Sequence, residues 1–279
     1  MARIFDILNR GISGSSPTEL VSVVLPFHTG EFADAEWTAL RHCARVLARY
    51  PRWLVLPDTA ELDPRAHEFV TGVKRLPDVY FRDFAAHQRM CLSEEFYDLF
   101  ADSEFILMHH LDAVVFRDEL EDWCLRDYCY VGAPFMDEAS ARWAAQRCSL
   151  PRRIFARLGL HTKIRVGNGG LSLRKISSMR TALRLLGPVV RRFDGNEDVF
   201  WSFAATSYLP WMRIPPVTLA RRFAWEIEPS TLMRICGTLP FGCHAWQRVA
   251  PEFWRPILKQ QGYWENFDEP AAKFSLPAA

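Results

Sequence analysis

Several things are scarce or missing in this sequence. No run of apolar residues approaches the ~18 that a membrane-spanning helix needs, and the opening residues 1–20 hold no apolar core of a secretory leader. Seven cysteines occur without a C-x-x-C pair. That pattern argues against a zinc ribbon and a disulfide framework, and it fits reduced thiols in a cytosolic protein, most of them small core residues. Excess charge is missing too: the formal net charge is +1, so bulk electrostatics points to neither nucleic acid nor membrane. There is no glycine-rich loop ending in Gly-Lys-Ser/Thr, no G-x-S-x-G and no H-E-x-x-H. These absences argue against the commonest phosphate-loop enzymes, α/β-hydrolases and zinc proteases.

What is present is a globular pattern. The 279 residues suffice for one large domain or two small ones. The valine-rich run LVSVVLPF, 20–27, reads as a buried parallel strand stopped by Pro26. A helical spacing of apolar residues follows over 34–50, then a strand over 52–57, a short helix over 63–73 and a third strand over 78–84. Further helices are expected over 86–103, 176–193 (with Ser177 or Ser178 as its cap) and 197–209, and further strands within 104–116, 128–134 and 166–175. Residues 3–10 have the spacing of a short amphipathic helix, and the tail 269–279 is small and polar enough to be loose. Alternating strand and helix predicts an α/β protein: a mostly parallel sheet with helices on both faces. Locally basic stretches at 45–52, 150–165 and 189–193 are either solvated helix faces or a surface for an anionic substrate.

Three stretches carry candidate chemistry. In VGNGGLSLRK, 166–175, three glycines fall within four positions, where a bare backbone is needed or a plain turn is made. His109, His110 and Asp112 follow the apolar strand FILM, at the carboxyl edge where open α/β sheets bind ligands. A carboxylate there can hold a divalent cation and, through it, a diphosphate; a turn aspartate beside core histidines is the alternative. In NEDVFW, 196–201, Glu197 and Asp198 open a helix, where the helix dipole alone favours acids and where a carboxylate at a cleft can also act as a general base. His244, in FGCHAW, becomes a ligand candidate only with a partner such as Asp112.

Taken in order, VVLPF, WLVLP, FYDLFADSEFILMHHLDAVVFRDELEDWC, YVGAPF, GNGGLSLRK and NEDVFW resemble the bacterial glycosyltransferase-like family DUF5672, from about residue 20 to about residue 248. The resemblance implies a GT-A-like Rossmann-type sheet in one continuous domain. It divides into a nucleotide-sugar half over about 20–125 and an acceptor half over about 126–248, flanked by an N-terminal extension (1–19) and a C-terminal tail (249–279). It further implies a nucleotide-sugar donor, most simply UDP-linked, held by Pro26, Phe27, His28, Asp58, His110, Asp112, Asn168, Gly169 and Gly170. A divalent cation, Mn²⁺ or Mg²⁺, would sit on Asp112 and His244, although His110 stands where the D-x-D motif of such enzymes has its first acid. Asp198 would be the base of an inverting transfer, with Glu197, Trp201 and Trp246 toward the acceptor. Trp211 and Trp225 are further candidates for stacking on sugars. The GNGG turn would pass close to both sugars with its N–H groups free. A bacterial surface polysaccharide or lipopolysaccharide precursor, glycan or lipid-linked, is the implied acceptor. The implied location is cytoplasmic, with peripheral contact at the inner face of the membrane. A non-catalytic sugar-nucleotide-binding subunit and a metal-dependent hydrolase are the other classes these residues allow.

Overall fold

A computed structural model of the chain describes residues 17–135 and 166–263. The expectations for residues 3–10, 150–165 and 269–279 lie outside them. Four strands run parallel: β1 (Glu19–Pro26), β2 (Arg52–Pro57), β3 (Gly72–Leu76) and β4 (Ser103–His109), in the order β3-β2-β1-β4. The sheet then changes direction. β5 (Val114–Val115) leaves it, β6 (Tyr130–Val131) forms its far edge, and β9 (Leu171–Lys175) pairs antiparallel with both β4 and β6. A small second sheet joins β5 to β10 (Ala224–Trp225) and β11 (Gly242–Cys243), and a third pairs β7 (Ala133–Pro134) with β8 (Val166–Gly167).

The period of two in the central strands divides the core between the two faces. Val21, Val23, Leu25, Phe105 and Leu107 face Trp37 and Leu40 of the helix Asp34–Val46, and Trp254 and Leu258 of the helix Pro251–Gln260. Val24, Ile106 and Met108 face Met90, Phe96, Met179 and Trp201 on the other side. Helices therefore cover both faces, as the alternation predicts.

Some local expectations change. The third strand is Gly72–Leu76, not 78–84, which opens as the 3₁₀ turn Asp78–Phe81 behind Pro77. An edge strand carrying Lys74 and Arg75 shows little hydrophobic alternation, and charge there blunts edge pairing. The expected helix 63–73 is a 3₁₀ turn, Pro64–Glu68, capped by Asp63 and followed by that strand. The helix 86–103 is two, Phe84–Cys91 and Glu94–Asp98, because the Ser93 hydroxyl caps a new start through the Phe96 N–H at 3.2 Å. The helix Ile176–Leu185 begins behind Lys175 with no side-chain cap, and Ser178 is buried. The segment 128–134 holds two strands of different sheets. Past residue 248 the chain still contributes a packed helix, Pro251–Gln260.

Candidate active site

The register of one strand pair creates the site. His109 at the end of β4 lies opposite Leu171 at the start of β9. The segment leaving β4 (His110 to Asp112) therefore meets the glycine turn entering β9, and the His110 N–H donates to the Gly170 carbonyl at 2.8 Å. Asn168 holds the turn with φ of 81°, a left-handed conformation that asparagine tolerates. Its Oδ1 accepts the N–H groups of Gly170 and Leu171, each at 3.1 Å. The Tyr130 hydroxyl donates to its carbonyl at 3.1 Å.

The glycines are required by what packs against them. A Cβ on Gly169 would collide with the Glu197 carboxylate, and one on Gly170 with the His244 imidazole. On Gly167 it would strike the Phe135 ring and come within 2.8 Å of Asp198 Oδ2. The expectation of free N–H groups fails at Gly170, whose N–H is bound to Asn168. The absent side chains make room for acid and imidazole groups.

On one side of the turn, His110, Asp112 and His244 bring one ligand atom each within 4.8 Å of one another. Asp112 is buried, with His244 Nε2 at 3.1 Å from its Oδ1 and Arg248 Nη2 donating to its Oδ2 at 2.9 Å. Burial alone would raise the Asp112 pKa; the His244 and Arg248 cations beside it hold it well below the usual carboxylate range. Burial works against the His244 cation, yet the Asp112 carboxylate raises its pKa to about 10, with Glu226 adding 3.4 Å from Nδ1. His110 is pushed well down by burial and by His87 and His244, so it is a neutral imidazole. His110 Nε2 is buried without a hydrogen-bond partner among the described residues, while Asp112 Oδ1 and His244 Nε2 face each other 3.1 Å apart; a cation that displaced the His244 proton would find all three atoms together.

On the other side, Arg174 is fully buried. Its guanidinium donates to Glu197 Oε1 at 2.8 Å, Tyr97 Oη at 3.1 Å, Ser172 Oγ at 3.0 Å and the Gly169 carbonyl at 3.2 Å. Burial raises Glu197 to about 7 although Arg174 opposes it. Asp198 is less buried; its Oδ2 accepts the Asn168 N–H at 2.7 Å and its Oδ1 the Val199 N–H at 2.8 Å. Burial raises its pKa against those two hydrogen bonds. Both acids lie at the start of a helix whose middle, Phe200–Ala205, is π-helical, a distortion frequent at functional sites.

Most, but not all, of the expected site residues meet here. Pro26, Phe27, His28 and His110 line a cleft with Phe81 and His87 beyond the end of β1. Asp58 is exposed after β2 and does not line that cleft. Trp201, Trp225 and Trp246 are at most 4% exposed and belong to the core, so Trp201 and Trp246 offer no face to an acceptor sugar. Trp211 is partly buried against the core. Glu197 is 1% exposed and tied to Arg174, so it stands behind the cleft rather than toward an acceptor. Sequence reasoning missed Arg174, Tyr97, Glu226 and Arg248. None of them left a signal: in LSLRK, Arg174 alternates onto the Ser172 face, which reads as solvent-facing although the fold buries it.

The family model described as "Protein of unknown function (DUF5672)" matches residues 71–244, more than half of the chain. No curated protein matches in sequence. Among solved structures, the galactosyltransferase LgtC in complex with donor and acceptor sugar analogs superposes with a TM-score of 0.52 at 11% identity, over 89% of this chain and 98% of that one. An active-site mutant of LgtC gives 0.53 at 12% identity, over 86% and 95%. The apo WbbM bifunctional glycosyltransferase gives 0.51 at 12% identity; 89% of this chain is matched, spanning half of that one. At these identities the likeness is one of fold, the GT-A glycosyltransferase sheet.

Proposed function

The chain belongs to the DUF5672 family, and we propose that it is a glycosyltransferase that moves a sugar from a nucleotide-sugar donor to a glycan hydroxyl. The observation that carries this reading is the pairing of an ion-ready cluster (His110, Asp112, His244) with a held carboxylate (Asp198) across one glycine turn on a GT-A sheet. The donor, UDP-linked, lies along Pro26, Phe27 and His28. We assign its binding to the half spanning about 20–125 and acceptor binding to about 126–248.

Two imidazoles and one carboxylate suit Mn²⁺ better than Mg²⁺, which prefers an all-oxygen shell. Asp112, His244 and His110 would hold the ion, which when bound offsets the charge developing on the departing diphosphate. Asn168 and its turn keep the cluster and the carboxylate in fixed relation. Asp198 accepts the proton of the acceptor hydroxyl as the oxygen attacks the anomeric carbon. A single displacement of this kind inverts the configuration. Glu197 and Arg174 fix the helix start from behind. A surface polysaccharide or lipopolysaccharide precursor is the acceptor class this reading favours, with the work done at the cytoplasmic face of the membrane. Among the described residues no helix is long and apolar enough to cross a membrane.

The test is nucleoside diphosphate release from a panel of nucleotide sugars with Mn²⁺, with and without glycan acceptors. Acceptor-dependent UDP release is expected. Release that ignores acceptor would make the protein a hydrolase, and no release from any donor would overturn the proposal.

A further inference from the structure

A second cavity lies away from the glycine turn. β5 and β11 are antiparallel, with Asp112 and His244 at one end of the pair and Arg117 and Leu239 at the other. That far end opens into a cavity of about 420 Å³, walled by residues from the helices Leu120–Leu125, Val217–Phe223 and Pro229–Cys236. Four arginines line it: Arg117, Arg126, Arg221 and Arg222. Arg117 is neutralised by Glu119 and donates to the Leu239 carbonyl at 3.0 Å. The other three make no ion pair among the described residues. Arg126 lies 5.0 Å over the Trp123 ring, and the Arg221 Nε is buried with no hydrogen-bond partner among the described residues. Against these three positive charges the cavity holds one further acid, Asp122.

Guanidinium groups without an ion pair around one cavity suit the oxygens of phosphate, which they bind through paired N–H groups. We propose that this cavity is a second ligand site, taking a phosphate- or diphosphate-bearing molecule and separate from the glycine-turn site. Ile235 in its lining is 51% exposed, and Leu125, next in sequence to the lining residue Arg126, is 70% exposed. The bound phosphate therefore belongs either to a soluble phosphorylated compound or to a lipid whose chains lie along those residues.

The first experiment is calorimetric titration of inorganic pyrophosphate into the full chain with EDTA present, which removes any metal-dependent diphosphate binding. One site is expected in the wild type, at least tenfold weaker in Arg221→Gln/Arg222→Gln and unchanged in Asp112→Asn. Arg126→Gln, at an exposed position, is expected to weaken binding severalfold without bearing on folding. Absence of binding in the wild type, equal binding in the arginine variants, or loss in Asp112→Asn would overturn the proposal. Co-sedimentation with phosphatidylglycerol–phosphatidylcholine vesicles then separates the sources. Sedimentation that pyrophosphate reverses and the double variant lacks assigns a lipid phosphate, and pyrophosphate binding without sedimentation assigns a soluble one. UDP binding at the glycine turn is expected to survive all three arginine substitutions, so failure here leaves the transferase reading standing.

Discussion

The two sides of the glycine turn are built on opposite terms. On the Arg174 side the buried guanidinium is surrounded by acceptors: Glu197, Tyr97, Ser172 and the Gly169 carbonyl. On the Asp112 side three ligand atoms lie within 4.8 Å of one another: His110 Nε2 has no partner among the described residues, and Asp112 Oδ1 and His244 Nε2 meet only each other, 3.1 Å apart. Burying polar atoms without partners is costly in a protein made only of itself. The Arg174 side, where only Glu197 Oε2 lacks a partner, reads as framework, and the Asp112 side, with three ligand atoms gathered together, is the one suited to an ion. Asp198 stands between them, held by the turn through the Asn168 N–H and less buried than Glu197.

Substitutions can break this contrast in order of effect. Asp198→Asn keeps the shape of the held group but cannot take a proton. Transfer is expected to fall on the order of 10²–10⁴-fold while UDP binding stays at the wild-type value; activity within a few fold of wild type would remove Asp198 from the chemistry. Arg174→Met leaves the Glu197 carboxylate buried without its cation, and chemical denaturation should show a loss of about 3–5 kcal/mol. Arg174→Met/Glu197→Leu, with neither charge left, should recover much of it. A small loss in the single variant would mean that this side is not the framework. Gly170→Ala drives a methyl group into the His244 ring; overpacking costs roughly 1–3 kcal/mol. Its sharper signature is a lost response to Mn²⁺ with Arg174-side stability otherwise kept.

A further effect is one of pH. Glu197 titrates near 7 in the fold against an ordinary value of 4.5. An acid whose folded pKa is raised contributes stability that is complete below about pH 4.5 and is lost as pH rises through 7. Melting temperatures recorded from pH 4.5 to 8 should thus decline less in Glu197→Gln than in the wild type, and parallel curves would contradict the assignment.

The sequence made some of this legible and hid the rest for physical reasons. The buried parallel strands announced themselves through unbroken apolar runs, as in LVSVVLPF, and the glycine turn and the NEDV acids stood out by composition. Strand β3 did not, because an edge strand with Lys74 and Arg75 lacks a two-sided apolar pattern. Asp112 and His244 were readable as candidates, but only the β4–β9 register and the β5–β11 pairing bring them together. The roles of Gly169 and Gly170 could not be read at all: their neighbours Glu197 and His244 lie far along the chain. The tryptophans misled in the usual direction, since a large aromatic ring is more often core than cleft.

The central claim is that the Asp112 side holds a metal-dependent nucleotide site. The direct measurement is a thermal-shift comparison of UDP with and without Mn²⁺, in wild type and in Asp112→Ala. The account predicts stabilisation by UDP only when Mn²⁺ is present, and its loss in the variant. Equal stabilisation without metal, or an undiminished response in Asp112→Ala, would contradict it.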